Sequence, residues 1–223
     1  MPSPRWLLPI ATVFIACLLT ANITAVKLAD LRFAILPAAI IVFPLSYIMG
    51  DVLTEVYGYS TARRVIWLGF LANLILVVFV FLGQLLPSAA NWDGQAAYER
   101  ILGFTSRLLA ASFIAYLFGE FTNSFILAKV KLLTRGRWLF VRTISSTVGG
   151  QLVDSAIFIT LAFTGILPSD LLARTVVTQW LVKCAYEALA TPVTYLVVGF
   201  LKRSEGMDVY DSQTNFNPLA ITR

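Results

Sequence analysis

The chain has 223 residues, of which 58% are hydrophobic and only 13% charged, with a mean hydropathy of +0.80. That balance excludes an ordinary water-soluble domain and sets an all-α membrane protein as the expectation. The formal charge of +5 does not point to nucleic acid, because the basic residues gather at the ends of apolar stretches, where topology accounts for them. Histidine is absent, and the two cysteines, Cys17 and Cys184, fall inside apolar stretches. The commonest metal ligand and general base is therefore missing, there is no disulfide framework, and no cofactor is called for.

A membrane span takes about 20 mostly apolar residues, and the chain has room for about six. Span one covers residues 6–26, with Thr20, Asn22, Thr24 and Lys27 as its polar members. A single basic residue precedes it and no small-residue cleavage site follows, so it reads as a retained helix and not a signal peptide. Lys27, Asp30 and Arg32 make a polar turn before span two, residues 33–57, where Pro37 and Pro44 predict a kink. The end of span two runs into the stretch FPLSYIMGDVLTEVYGYSTARR, residues 43–64. Asp51 and Glu55 stand at i, i+4 and share a helix face, and Tyr47 and Phe43 extend that strip by one turn each. Gly58 supplies the stop, and Arg63 with Arg64 marks a membrane edge.

Span three, residues 65–86, carries only Asn73 and Gln84 as sizeable polar side chains, and its apolar surface permits a homodimer. Residues 87–107 read as a loop with a short surface helix. Span four, residues 108–130, places Tyr116, Glu120, Asn123 and Ser124 on one face. The densest basic cluster follows, with Lys129, Lys131, Arg135, Arg137 and Arg142. Span five, residues 144–166, presents Thr147, Gly150, Gln151, Asp154 and Phe158 on neighbouring turns, and Ser146, Gly150 and Asp154 recur at a spacing that lets helices approach closely. After a short turn with Ser169 as a cap, span six, residues 171–201, aligns Gln179, Lys183 and Glu187 at successive i+4 positions beside Tyr186. The chain thus divides into a transmembrane domain, residues 1–203, and a polar tail, residues 204–223, read as a loosely ordered cytoplasmic extension carrying Asp208 and Asp211.

Eleven Lys and Arg residues fall on the side of the N-terminus, second loop, fourth loop and tail, against five on the other, which predicts that both termini are cytoplasmic. A 3+3 inverted repeat is suggested by two similarities. Thr24 to Lys27 ends span one much as Asn123 to Lys129 ends span four, and spans two and five each place an acid beyond a glycine.

An ionised residue at a helix centre costs roughly 2.5 to 3.5 kcal/mol, so Glu120, Asp154, Lys183 and Glu187 together would cost on the order of 10 kcal/mol facing lipid. They must face inward. Unremarkable roles exist for several polar residues. Lys183 and Glu187 could pair within one helix, and Asp51 with Glu55 could sit at the cytoplasmic interface, about 27 Å along span two. Asn22, Asn123 and Gln151 could simply join helices, and Trp180, Tyr186 and Tyr195 could pack. Glu120 and Asp154 are the better site candidates, because neither has a cation one turn away on its own helix. No phosphate loop and no Gly-x-Ser-x-Gly elbow is present. Asp51 and Asp154, the pair an intramembrane aspartyl protease would need, are predicted at different depths.

With these residues in view, the chain resembles the queuosine precursor transporter family, once grouped with vitamin uptake transporters. The resemblance rests on GDVLTEVYG with Ala62-Arg63-Arg64, on Gly119-Glu120 with Asn123-Ser124, and on Arg142-Thr143 followed by Ser145-Ser146, Gln151, Asp154 and Ser155. Lys183, Tyr186-Glu187 and Pro192 complete it, over residues 40–200; Gly50 stands where a small polar residue would be expected. It implies a six-span protein of the bacterial inner membrane that imports 7-cyano-7-deazaguanine and its aminomethyl analogue for tRNA modification, by secondary transport and not as an enzyme. Such a base offers a ring N–H and an exocyclic amine side by side, and a carboxylate can accept both. Glu120 or Asp154 would suit that role, Asn123, Gln151 and Asn22 could read the remaining edge, and Phe43, Tyr47 or Trp180 could stack on the ring. Asp51, Glu55, Lys183 and Glu187 would serve coupling or gating. The alternatives are a substrate-binding membrane subunit of an ATP-driven vitamin importer, an intramembrane enzyme, and a scaffold whose polar stripes only join helices.

Overall fold

Six long or buried helices and one short surface helix make up the chain in the computed structural model, which describes residues 4–30, 35–103 and 106–220. In order they are α1 (Leu7–Thr24), α2 (Phe43–Tyr57), α3 (Tyr59–Leu85), α4 (Gln95–Leu102), α5 (Ser106–Leu133), α6 (Leu139–Phe163) and α7 (Ser169–Glu205). Five spans, four of them the helices α1, α3, α6 and α7 and one running into α5, are long and apolar enough to cross a membrane. The loop helix α4 has no buried residue, as a surface helix should. The expected sites at Arg32, Phe33 and Arg223, and the side chain of Phe43, lie outside the described residues.

Span two differs from the continuous kinked helix expected of it. Its first part is a short antiparallel pair, β1 (Leu28–Asp30) with β2 (Ile35–Pro37), followed by a single 3-10 turn over Ala38–Ile41. Pro37 ends the strand, and Pro44 sits in the first turn of α2, where a missing N–H leaves no helical bond unmade. The prolines delay the helix instead of bending it. What remains is 15 residues long, the shortest of the inner helices, and it is also the most enclosed: residues 51–57 are all buried, and α2 touches α1, α3, α5 and α7.

The chain reverses from α2 into α3 at Gly58, whose φ of +82° suits only glycine and whose N–H bonds Thr54 O at 3.1 Å. Glycine has no side chain to cap α3. The tail supplies the missing acceptor: Asp211, buried, takes the Tyr59 N–H on Oδ2 at 3.0 Å. The polar tail is therefore strapped down and not loose. Lys131 donates to Asp208 Oδ1 at 2.5 Å and Val209 O at 2.7 Å, and Phe216 lies against Tyr59 and Phe125. Arg63, expected with Arg64 to mark a membrane edge, is buried in α3 and donates to Asn215 O and Asn217 O at 2.7 and 2.8 Å. At the same end, the backbone N–H groups of Arg5 and Trp6 bond the Glu205 carboxylate at 3.0 and 2.6 Å, so α1 begins where α7 ends.

The strap carries a pH signature. Burial alone would raise the Asp208 carboxyl, but hydrogen bonds from Lys131 and Lys202 outweigh it and hold the group below its usual range. A depressed folded value means a contribution complete above the ordinary Asp value of about 4 and lost as pH falls through the folded value. Amide hydrogen exchange over residues 207–218 should thus stay protected from pH 8 to 5 and open on further acidification. Asp208→Asn should weaken that protection already at neutral pH, and Asp211→Ala should cost about 1 kcal/mol at the start of α3.

Candidate functional site

Four helices bring their polar positions to one place. The strip read on α2 is real: Tyr47, Asp51 and Glu55 rise turn by turn along its inward face. Opposite it, α5 and α6 form the most extensive helix contact among the described residues, and two glycines let them approach closely. A Cβ at Gly150 would lie 2.7 Å from Asn123 Cβ and 3.0 Å from Gly119 O, and one at Gly119 would lie 2.8 Å from Asp154 Cβ. This close crossing sets Glu120 and Asn123 of α5 beside Gln151 and Asp154 of α6. Gly150→Val should force the pair apart, cost about 1 to 3 kcal/mol and reduce ligand binding, whereas Gly199→Ala, with nothing within 4 Å, should do neither. Thermal midpoints of the two purified variants provide the check.

The site has two layers. The lower is an ion-pair knot. Glu55, 0% exposed, accepts Arg142 Nε on Oε2 at 2.6 Å and Nη2 on Oε1 at 2.7 Å, and Lys202 on Oε1 at 2.5 Å. Lys131 lies 3.6 Å from the same carboxylate and donates to the Glu55 carbonyl at 2.5 Å. A fork-to-fork guanidinium contact together with two ammonium groups fully neutralises this acid. Asp51 and Glu55 are both enclosed by helices.

One turn above, the balance reverses. Asp51, 1% exposed, takes one N–H from Asn123 on Oδ1 at 3.0 Å, and its Oδ2 has no partner among the described residues. Glu187, also 1% exposed, has no hydrogen-bond partner on either oxygen among the described residues. Lys183 does not neutralise it within α7. It pairs instead with Asp154 of α6. Glu120 reaches over to α2, its Oε2 3.5 Å from where a Gly50 Cβ would be, an ordinary contact distance that leaves room for the small polar residue expected there. Tyr47 donates to Gln151 Oε1 at 3.4 Å and lies within electrostatic reach of Asp154, Glu120 and Glu187. Asp51 is likewise within reach of Glu187 and Glu120. Asp51, Glu120 and Glu187, from three helices, thus face one another, with Lys183, bonded to Asp154, also within electrostatic reach of Glu120.

Of the residues singled out in the sequence, the structure gathers Tyr47, Asp51, Glu120, Asn123, Gln151, Asp154, Lys183 and Glu187, with Glu55 in the layer below. It does not bring Asn22 or Trp180 to them. The Asn22 amide is used on Asn73 of α3 at 2.7 Å, and the Trp180 indole donates to Val148 O at 2.9 Å on the exposed side of α6 and α7. The facing aspartates of a protease are not formed, because Asp51 takes Asn123 and Asp154 takes Lys183. Sequence reasoning missed Arg142, Lys131 and Lys202 as partners of Glu55; Ser155 and Gln179, both named in the sequence, have buried oxygens with no partner among the described residues. A cavity of about 490 Å³ on the outer face of α7, between Tyr195 and Ser204, shares no residue with this site.

Several apolar helices around a polar, acid-lined centre define a multi-pass membrane protein of the solute-transporter class. The chain belongs to the family described as "Putative vitamin uptake transporter", whose model matches residues 37–197, a family of transporters and not of enzymes. It is 30% identical over 187 residues to the "Probable queuosine precursor transporter" of Bacillus subtilis (strain 168), a match covering 83% of this chain and 81% of that one. It is 26% identical over 121 residues to the "Queuosine precursor transporter" of Escherichia coli (strain K12), covering 54% of this chain and 52% of that relative. The "Probable queuosine precursor transporter" of Haemophilus influenzae matches at 25% identity, over 54% of this chain and 49% of its own length. No solved structure matches the chain.

Proposed function

We propose that the protein imports queuosine precursors, 7-deazaguanine bases, across a bacterial inner membrane by secondary transport through the acid-lined centre. The observation that carries this reading is Glu187: a carboxylate enclosed by α7 and its neighbours, with neither oxygen partnered among the described residues. A buried acceptor left without a donor costs about 1 to 3 kcal/mol, more when charged, and such a cost is tolerable where a ligand supplies the donor. A guanine-type edge presents two adjacent N–H donors to one carboxylate, Asn123 and Gln151 lie close enough to read the rest of it, and Tyr47 supplies an aromatic face. The names of the three relatives give the same substrate class.

In this reading the chain crosses the membrane six times, with α2 and its irregular entry completing a sixth pass inside the bundle, where non-helical backbone is tolerated. An even number of crossings agrees with the bonds between the start of α1 and the end of α7, and the excess of basic residues on that side makes it cytoplasmic. The Glu55 knot and the strapped tail then close the cytoplasmic end, one turn from Asp51.

Uptake of a radiolabelled 7-deazaguanine base by purified protein in liposomes is the test. Accumulation driven by an imposed ion gradient with no ATPase present is expected. Accumulation only after an ATPase partner is added would instead make this chain the substrate-binding subunit of an ATP-driven importer.

A further inference from the structure

The groove on the outer face of α7 lies apart from the acid-lined centre. It has a volume of about 490 Å³ and follows the last turns of the helix, past Tyr195, Leu196, Gly199 and Phe200 to Arg203 and Ser204. Eight residues of helix make it about 12 Å long. Gly199 is its floor: a Cβ there would meet nothing within 4 Å, so the hollow is the space a side chain would fill. Leu196 and Phe200 line it as exposed apolar side chains. Its rim is built from aromatic groups with one wet end. The Tyr195 hydroxyl accepts the Phe140 N–H at 2.9 Å, and the Trp6 indole donates to Ser204 Oγ at 3.0 Å while its ring meets Phe200 edge-on at 5.8 Å. Tyrosine and tryptophan held in this way belong at the headgroup level of a bilayer. Arg203 closes the same end. Lys202 turns inward to Glu55 and Asp208, whereas the Arg203 guanidinium makes no hydrogen bond or ion pair with any described residue. The Arg5 guanidinium lies over the Trp6 ring at 5.7 Å, which sets a second cation beside it. Glu205, the neighbouring acid, is already taken up by the N–H groups of Arg5 and Trp6 and by the Tyr57 hydroxyl.

We infer that this groove is a binding site for an anionic phospholipid, with an acyl chain along Leu196, Gly199 and Phe200 and the phosphate against Arg203 and Ser204. A guanidinium presents a planar fork of donors that matches two phosphate oxygens, and the Ser204 hydroxyl, which accepts from Trp6, keeps its own proton to donate. Basic residues at the end of an apolar trough are the arrangement that holds an acidic headgroup at a membrane surface. A zwitterionic lipid offers the same phosphate but adds an ammonium, and Glu205 is not free to meet it. The preference is therefore for a headgroup of net negative charge, such as phosphatidylglycerol. The site does not depend on which solute the centre carries.

Lipid titrations of the detergent-purified full chain, followed by its thermal midpoint, test this. The probes are phosphatidylglycerol, phosphatidylcholine with the same acyl chains, and inorganic phosphate. Phosphatidylglycerol should reach half its effect at a concentration about fivefold or more below phosphatidylcholine, and inorganic phosphate should move nothing. Arg203→Gln, which breaks no contact within the protein, should leave the lipid-free midpoint unchanged and bring the two lipids to the same concentration. Gly199→Leu, which fills the floor of the groove without a clash, should weaken both lipids. Equal titration by the two lipids in the wild type, or a preference for phosphatidylglycerol that survives Arg203→Gln, would overturn the inference. So would a shift with inorganic phosphate equal to that with phosphatidylglycerol, which marks a soluble-anion site, or self-association that Gly199→Leu abolishes, which gives the groove to a second copy of the chain.

Discussion

Glu187→Leu is expected to raise the thermal midpoint of the purified protein and to abolish uptake. A mutation with opposite effects on stability and function marks a group held for a ligand. Glu187 is enclosed and makes no hydrogen bond on either oxygen among the described residues, so leucine, close to it in size, removes an uncompensated polar group and fills the same space with apolar surface. The gain should be about 1 to 3 kcal/mol, which for a chain of this size is a few degrees upward per kcal/mol. Uptake should fall below detection, and Glu187→Gln, which keeps one acceptor, should lose roughly 10- to 100-fold, the equivalent of a hydrogen bond to a charged group. Differential scanning fluorimetry and liposome uptake on the same preparations decide it: a lower midpoint, or uptake at the wild-type rate, would make Glu187 an ordinary packing residue.

Glu55→Gln should do the reverse. Glu55 also lies buried on the inward face of α2, one turn from Asp51, yet it is bonded to Arg142 and Lys202 with Lys131 alongside. Removing its charge leaves Arg142 and Lys131 buried and Lys202 beside them, with Asp208 the remaining acid paired to the two lysines among the described residues. Breaking a buried ion pair from one side costs about 3 to 5 kcal/mol, so a fall in midpoint on the order of 10 °C is expected. The triple change Glu55→Gln, Arg142→Met and Lys202→Met should recover part of the loss, because apolar replacements of a whole buried ion cluster are commonly tolerated. Glu55 of α2 and Glu187 of α7, two buried acids in adjoining layers, are therefore distinguished by the sign of the expected change in stability.

The difference between the layers could not be read from spacing along the chain. The i, i+4 pattern of Asp51 and Glu55 placed both on one face correctly, but the partners of Glu55 lie 87 and 147 positions away. Nor could spacing show that Lys183, four residues from Glu187, turns to Asp154 across the α6 and α7 contact. Intrahelical geometry is a local property, whereas the choice between two acids at equal reach is made by packing. The apolar runs of α1, α3, α6 and α7 were legible because a bilayer demands a fixed length of apolar helix. Span two was not, since Pro37 and Pro44 say where a helix cannot be continuous without saying what replaces it. The tail misled for a related reason: its backbone carbonyls and Asp211 look the same in sequence whether they meet water or, as here, Arg63 and the bare start of α3. The close approach of α5 and α6 was legible from Gly150 at its spacing with Ser146 and Asp154, because few residues other than glycine leave room for a neighbouring backbone.

The most direct measurement is a thermal shift screen of the detergent-purified protein, wild type beside Glu187→Leu, against purines and 7-deazapurines. A ligand at about a hundred times its dissociation constant stabilises by roughly 2.7 kcal/mol, a shift of several degrees for a chain of this size. Deazaguanines should raise the wild-type midpoint by that amount and leave Glu187→Leu unmoved. No shift in the wild type with any of these bases, or an equal shift in the variant, would contradict the account.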